Sequence, residues 1–406
     1  MSFWVIPMDD LLKIVEDLRE DMVKVMCDLI EIKAISPDSG GEGELDKAEY
    51  LMKLLNGFEV ERFDAKDDRA KGGVRPNIVA KIEGESDRTV WIVSHMDVVP
   101  EGDLSLWRTH PFKAVVEDGK IYGRGAEDNN QAIVSSLFAG KAILKLNKTP
   151  KLSFGLAFVS DEETGSRYGI QHLLKQNVFK EGDLIVVPDA GNEKGDEIEI
   201  AEKSILWLKF KVHGIQSHAS TPKLNACRRA MKFLLELDEE LHRRFNAKND
   251  LFSPPNSTFE PTKREKNVDN VNTIPGLDVS YMDCRILPEY DVDDVLKVVD
   301  EIKAKFEEKD GKPIEVEVVQ RESSPPTSEN SEVVIKLKKA IKLARGIDAR
   351  VVGIGGNTCA AFFRKAGFHT AVWATFVGNA HKPNEFCLID NIVNDAKVFA
   401  ILPFVE

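Results

Sequence analysis

The sequence contains no Cys-x-x-Cys pair, and its five cysteines (Cys27, Cys227, Cys284, Cys359 and Cys387) are scattered and odd in number. That leaves no basis for a disulfide framework or a thiolate zinc site and points to a reducing, cytoplasmic home. No apolar run approaches the roughly 20 residues a membrane-spanning helix needs. The opening residues, MSFWVIPMDD, turn acidic too soon to read as a secretory leader. Positive charge is in deficit: 55 Lys and Arg face 68 Asp and Glu, a net charge of −13. Nucleic acid and anionic membranes are therefore poor partners. Internal repeats and low-complexity tracts are missing too, which removes solenoids and disordered tails. What remains is an ordinary globular composition, and 406 residues exceed what one hydrophobic core serves, so two domains are expected.

Apolar periodicity predicts a helix over 8–32 and a second over 44–55, and then an alternation of buried strands and helices. Residues 77–82, 90–94, 152–160 and 184–187 read as strands, and 129–146 as a helix. Apolar strands separated by helices mean an α/β sheet covered on both faces. Near residue 204 the pattern changes. Leu206, Leu208, Phe210 and Val212 alternate with Trp207, Lys209, Lys211 and His213, the period of a sheet wet on one face. A helix over 225–245, strands at 268–274 and 278–287, a helix over 292–308 and a strand at 314–319 complete a β-α-β-β-α-β order. After the hinge-like SSPPTS at 323–328, a helix over 332–345 and a strand at 370–376 resume the first style. The expected architecture is one α/β domain, 1–203 and 321–406, interrupted by a smaller α+β domain at 204–320.

Four clusters of acids and histidines sit at strand ends: Ser94-His95-Met96-Asp97, Ser160-Asp161-Glu162-Glu163, Val187-Pro188-Asp189 and Gly378-Asn379-Ala380-His381. In an open α/β sheet, ligands bind outside the carboxyl ends of the strands, so these clusters should converge on one crevice. Asp128, after the Gly-rich turn Gly123-Arg-Gly125, starts a helix. Alone it would pass for an N-cap, as Glu162 and Glu163 would for solvated loop charges. Together, histidine and carboxylate are the ligand set that zinc prefers. At i and i+2 on an extended chain, Asp97 can approach the imidazole of His95 and fix its orientation. The neighbours Glu162 and Glu163 cannot face one way in an extended segment. One can bind metal while the other stands off as a base.

In order, His95-Met-Asp97, Gly123-Arg-Gly-Ala-Glu-Asp128, Asp161-Glu-Glu163-Thr-Gly165, Pro188-Asp189, Gly214-Ile-Gln-Ser-His218, Asn272-Thr-Ile-Pro and His381-Lys-Pro-Asn-Glu385 resemble the motifs of one group. It is the zinc metallopeptidase family that includes acetylornithine deacetylase, succinyl-diaminopimelate desuccinylase, aminoacylase and glutamate carboxypeptidase G. The resemblance implies a catalytic domain with a central mixed sheet and a lid, and two zinc ions per subunit that cobalt or manganese can replace. His95 and Asp189 would hold one ion, Glu163 and His381 the other, with Asp128 bridging. Asp97 would orient His95, and Glu162 would be the general base of hydrolysis by metal-bound hydroxide. From the lid, His218 and Asn272 would reach the substrate, while Arg285, Gly355, Gly356, Asn357 and Thr358 would receive its carboxylate. An arginine fork suits a carboxylate, so the expected substrate is an N-acyl amino acid or a short peptide. The same resemblance implies a homodimer joined through the lids.

Departures are confined to positions that hold no metal: Asn-Asn-Gln-Ala follows Asp128 where many members have Met-Lys-Gly, and Asn357 sits in the late glycine motif. A dinucleotide-binding reading fails because neither glycine motif completes Gly-x-Gly-x-x-Gly; Asp128 and Thr358 stand at the final positions. A non-catalytic metal-binding scaffold would be expected to lack Glu162, which is present. Deacylase and dipeptidase or carboxypeptidase activities share one metal site, and both stay open.

Overall fold

The computed structural model describes residues 8–406; the reading of residues 1–7 as no leader lies outside them. The chain divides into two compact units. One runs to Ile200 and resumes over Thr327–Val351 and Thr358–Glu406, and the other comprises Ala201–Pro326 and Val352–Asn357.

The first unit is built on a mixed sheet. In spatial order the strands of that sheet are Glu59–Lys66, Val74–Ile82, Leu152–Val159, Ser86–His95, Leu184–Asn192, Thr370–Thr375, Glu197–Glu202 and Arg350–Ile354, the last two running on into residues assigned to the second unit. The four central strands, from Leu152–Val159 to Thr370–Thr375, run parallel, and the strands beside them on either side run antiparallel to them. Every residue of Leu152–Val159 and of Thr370–Thr375 is buried, as expected where helices cover both faces. On one face Trp91, Val93, Ala157, Ile185 and Val372 pack with Ile170, Leu173 and Phe363 of two short helices. The helix Gln131–Leu146, almost wholly buried, lies against Ile389–Ile401. Parallel strands deliver their carboxyl ends to one edge, which is where His95 and Asp161 emerge.

In the second unit the sheet order is Thr258–Arg264, Leu277–Ile286, Ser204–His213 and Ile314–Glu322, all antiparallel. Leu206, Leu208, Phe210 and Val212 are fully buried against Phe233, Leu237, Val295 and Val299 of the helices Ala226–Arg244 and Val292–Asp310. Each such side chain contributes about 1.5–3 kcal/mol. The alternating Trp207, Lys209, Lys211 and His213 stay on the open face.

Three local expectations need correction. The first helix is two, Met8–Asp17 and Arg19–Glu31. At Leu18 the ladder tightens to an i→i−3 bond with Val15, while Leu18 itself stays buried. The apolar spacing therefore runs through the break unaltered. The second strand of the lid sheet is not at 268–274, where only Thr273–Ile274 is extended, but at Thr258–Arg264. It is an edge strand with a bulge between Pro261 and Lys263 and a single buried residue, Phe259. An edge position tolerates proline and hides the alternation. Finally, residues Ala126–Asn130 form a wide turn in which Asp128 and Asn129 are non-helical, and the α-helix begins only at Gln131. Asp128 is thus no N-cap, and its carboxylate is free to face the sheet edge.

Candidate metal centre

Eight of the expected site residues lie in the first unit, and the fold brings seven of them, all but Thr358, together. His95 ends its strand, buried to 3% exposure. Its Nδ1 donates to the backbone carbonyl of Asp97 at 3.0 Å, so Nε2 carries the lone pair that points into the crevice. Asp97 therefore orients the ring mainly through its carbonyl. Its carboxylate lies 3.4 Å from Nδ1 and accepts the backbone N–H groups of Glu162 and Glu163, each at 3.0 Å. Two donors at the start of a turn outcompete one ring nitrogen for that carboxylate.

The acidic pair is not extended. Glu162–Thr164 is a 3-10 turn entered through Asp161 at φ +67°. Asp161 is anchored by the Tyr168 N–H at 3.0 Å and the Thr164 hydroxyl, with the buried guanidinium of Arg75 at 3.5 Å. The turn sends the two side chains to different sides. Glu162 groups with His95 and Asp189, and Glu163 with His95 and Asp128. Asp189 lies inside its strand rather than beyond it, but pairing with the His95 strand stops at Val186, so Asp189 still faces the open end.

Asp128 stands between the two histidines. Its Oδ1 is 2.8 Å from His95 Nε2, and its Oδ2 is 3.0 Å from His381 Nε2. Asp189 Oδ1 lies 3.4 Å from His95 Nε2, and Glu163 Oε1 3.2 Å from His381 Nε2. Two ligand atoms held tetrahedrally by one zinc stand roughly 3.4 Å apart, so these separations fit shared cations. The electrostatics agree. A ring lone pair facing a carboxylate oxygen needs a cation between them, and in the bare chain only a proton can serve. Burial acts to lower the pKa of His95, but hydrogen bonds to Asp128, Asp189 and Asp97 outweigh it and raise the pKa well above the usual histidine range. Hydrogen bonds to Asp128 and Glu163 push His381 up to about 10. Burial, with the charge of Asp189 beside it, raises Glu162 well above an ordinary carboxylate, and burial beside Asp128 lifts Glu163 to about 7. The residues present therefore fit divalent metal.

The expected lid residues belong to the second unit. Ser217–His218 pairs with Thr273–Ile274, which sets Asn272 Nδ2 3.5 Å from His218 Nε2. Nδ1 of His218 accepts the Ser220 N–H at 3.1 Å and lies 2.7 Å from the Ser220 hydroxyl. Arg285 already forks onto Asp283 at 2.7 and 3.0 Å and donates to the Gly355 carbonyl at 3.0 Å. Two of its five N–H groups are left over. The Asn357 amide lies 3.2 and 3.0 Å from the carbonyls of Lys203 and Gly356, two acceptors that call for its nitrogen on that side. Gly355 and Gly356 have open space where a Cβ would stand. Thr358 falls in the first unit, its hydroxyl accepting the Ala360 N–H at 3.2 Å.

Sequence reasoning missed Asn129, whose Oδ1 accepts the His95 N–H at 3.3 Å and whose Nδ2 donates to Asp189 Oδ1 at 3.1 Å and to the Pro188 carbonyl at 2.8 Å. It also missed the parts played by Glu127 and Glu385. Both stood inside quoted motifs, Glu127 next to Asp128 and Glu385 four residues after His381, and that proximity was the available signal.

Residues 91–403 match the peptidase family M20/M25/M40. An uncharacterized metallohydrolase of Methanocaldococcus jannaschii is 45% identical over 404 residues, 94% of this chain and 98% of that protein. A succinyl-diaminopimelate desuccinylase of Rickettsia felis is 30% identical over 296 residues, 70% of this chain and 74% of that protein. The fold of an M20 family metallo-carboxypeptidase from Sulfolobus solfataricus superposes with a TM-score of 0.72 at 22% identity, covering 94% of this chain and 98% of that one. No helix among the described residues is long and apolar enough to cross a membrane. With most of its length matched, the chain belongs to peptidase family M20/M25/M40, metal-dependent hydrolases of amide bonds.

Proposed function

We propose that the protein removes the acyl group from an N-acyl amino acid, using two zinc ions held by His95 and Asp189, by Glu163 and His381, and by Asp128 between them. The observation that carries this reading is the placement of Asp128, with one carboxylate oxygen on each histidine. Bound divalent ions supply an acidified water and an electrophile for the amide carbonyl. Glu162, close to the centre but paired with no cation of its own, takes the proton from water and returns it to the leaving amine. Asp97 and Asn129 hold His95 and Asp189 in place. His218 donates to the developing oxyanion, an interaction worth roughly 3–4 kcal/mol. The two free N–H groups of Arg285, with Gly355, Gly356, Asn357 and Thr358, receive the substrate carboxylate.

The desuccinylase among the relatives favours deacylation over the dipeptidase or carboxypeptidase reading. A panel of N-succinyl and N-acetyl amino acids, dipeptides and their C-terminal amides, assayed with zinc, cobalt or manganese, tests it. N-acyl amino acids should give the highest kcat/KM and the amides little turnover. Faster cleavage of dipeptides would assign the peptidase activity instead.

The same proposal includes a twofold dimer joined through the second unit, with His218 acting in the partner's site. That unit is a single β-α-β-β-α-β element with no enlargement, and His218 is exposed on it. Inactive Glu162→Gln and inactive His218→Ala subunits, mixed and allowed to exchange, should recover activity, because each hybrid has one site with both groups intact. Verified exchange without recovery, or an active monomer, would exclude it.

A further inference from the structure

Glu127 is fully buried, and its carboxylate is enclosed by backbone donors from four successive residues. Oε1 accepts the N–H groups of Val377 and, at 3.0 Å, Gly378; Oε2 accepts those of Asn379 at 2.6 Å and Ala380 at 2.9 Å. A carboxylate offers about four acceptor positions, so Glu127 is saturated and has none left for a metal. The donors are the residues immediately before His381, and Glu127 is the residue immediately before Asp128. A reciprocal tie runs the other way. Glu385 Oε1 accepts the N–H groups of Glu127 at 2.9 Å and Asp128 at 3.1 Å, while Oε2 accepts Gly125 N–H at 3.1 Å and Arg124 Nη1 at 2.6 Å. Two loops about 250 residues apart in sequence are thus cross-clamped, each by a carboxylate of the other.

The consequence falls unevenly on the two histidines. His95 is buried at the end of a central strand and is held there by the sheet and by Asn129. His381 is half-exposed, sits on a loop at φ +64°, and lacks that support. We infer that Glu127 is a positioning residue that sets His381 against Asp128, and so forms the second metal site without touching the ion. Glu127→Gln keeps the shape but turns an amide N–H₂ toward backbone donors, leaving buried N–H groups without acceptors. The strand-borne site of His95 and Asp189 does not depend on those donors.

This inference rests on Asp128 and His381 being ligands. Stepwise titration of metal-free protein with Co²⁺, followed calorimetrically and by visible absorption, tests both. In Glu127→Gln the first equivalent should bind as in the wild type. The second should weaken about 10–100-fold, the range for partners that orient a ligand, and saturating Co²⁺ should restore its absorption bands. An unchanged second equivalent in the variant, with two bound by the wild type, overturns this inference alone. So does parallel weakening of both equivalents with a fall in Tm, the mark of a fold prop. A wild type that takes up one ion overturns the two-metal reading as well. Should Glu127→Gln fail to fold, hydrogen exchange in metal-depleted wild type decides. The 377–380 amides should remain protected without metal, because the carboxylate holds them. Exchange at open-loop rates until metal is added would overturn the assignment.

Discussion

Glu162→Gln should lower kcat by at least about 100-fold, the contribution of a positioned acid–base group, and leave metal content and KM nearly unchanged. Glutamine preserves volume and one acceptor oxygen but cannot carry the proton from water to the leaving amine. The geometry separates this residue from its neighbour. Glu163 is engaged with His381 at 3.2 Å, whereas Glu162 has no hydrogen-bonded cation and is raised well above the usual carboxylate range by burial and by Asp189. A base placed among other carboxylates gains proton affinity from them, which suits it to take a proton and give it back. Metal analysis and single-turnover kinetics on Glu162→Gln and Glu163→Gln decide the assignment. Zinc lost from Glu162→Gln and retained by Glu163→Gln would reverse the two roles.

Removal of metal should abolish hydrolysis, and added zinc or cobalt should restore it without refolding. Two divalent ions per chain are expected, with Asp128 placed to serve both, since one of its carboxylate oxygens faces each histidine. Without ions these groups still pair through protonated histidines, so the strands and loops that carry them should persist. The metal-free protein should unfold at a lower temperature, because ligand that binds only the folded state stabilises it by mass action. Metal quantification beside activity during stepwise reloading is the measurement. Full activity with one ion per chain would refute the bridging placement of Asp128, and activity that survives exhaustive chelation would remove metal from the reaction.

Much of this was readable along the chain because it depends on neighbours in sequence. The run Leu152–Val159 is apolar at all but Ser153, and a short apolar run bounded by turn residues fits a strand buried on both faces. The alternation from Leu206 to Val212 declared a sheet with one wet face, and the fold buries those four residues. The candidate residues were visible for the same local reason: His95 ends an apolar strand, Glu162 and Glu163 stand just beyond another, and His381 lies in the loop after a third. Local pattern failed where the strand was an edge, at Thr258–Arg264, since a single buried Phe259 leaves no period to detect.

Tertiary structure decided everything that joins distant segments. Only the folded chain sets Asp128 between histidines 33 residues before it and 253 after it. It also assigns the Asp97 carboxylate to the turn of Glu162 and Glu163 rather than to the ring two residues away. Glu127 and Glu385 read in sequence as two more acids in an acidic chain. Their roles exist because each closes on backbone donors of a remote loop, and backbone donors are the same at every residue. Side-chain chemistry and hydrophobic period are written residue by residue. The pairing of a buried carboxylate with a particular set of N–H groups is specified only when packing excludes water from both.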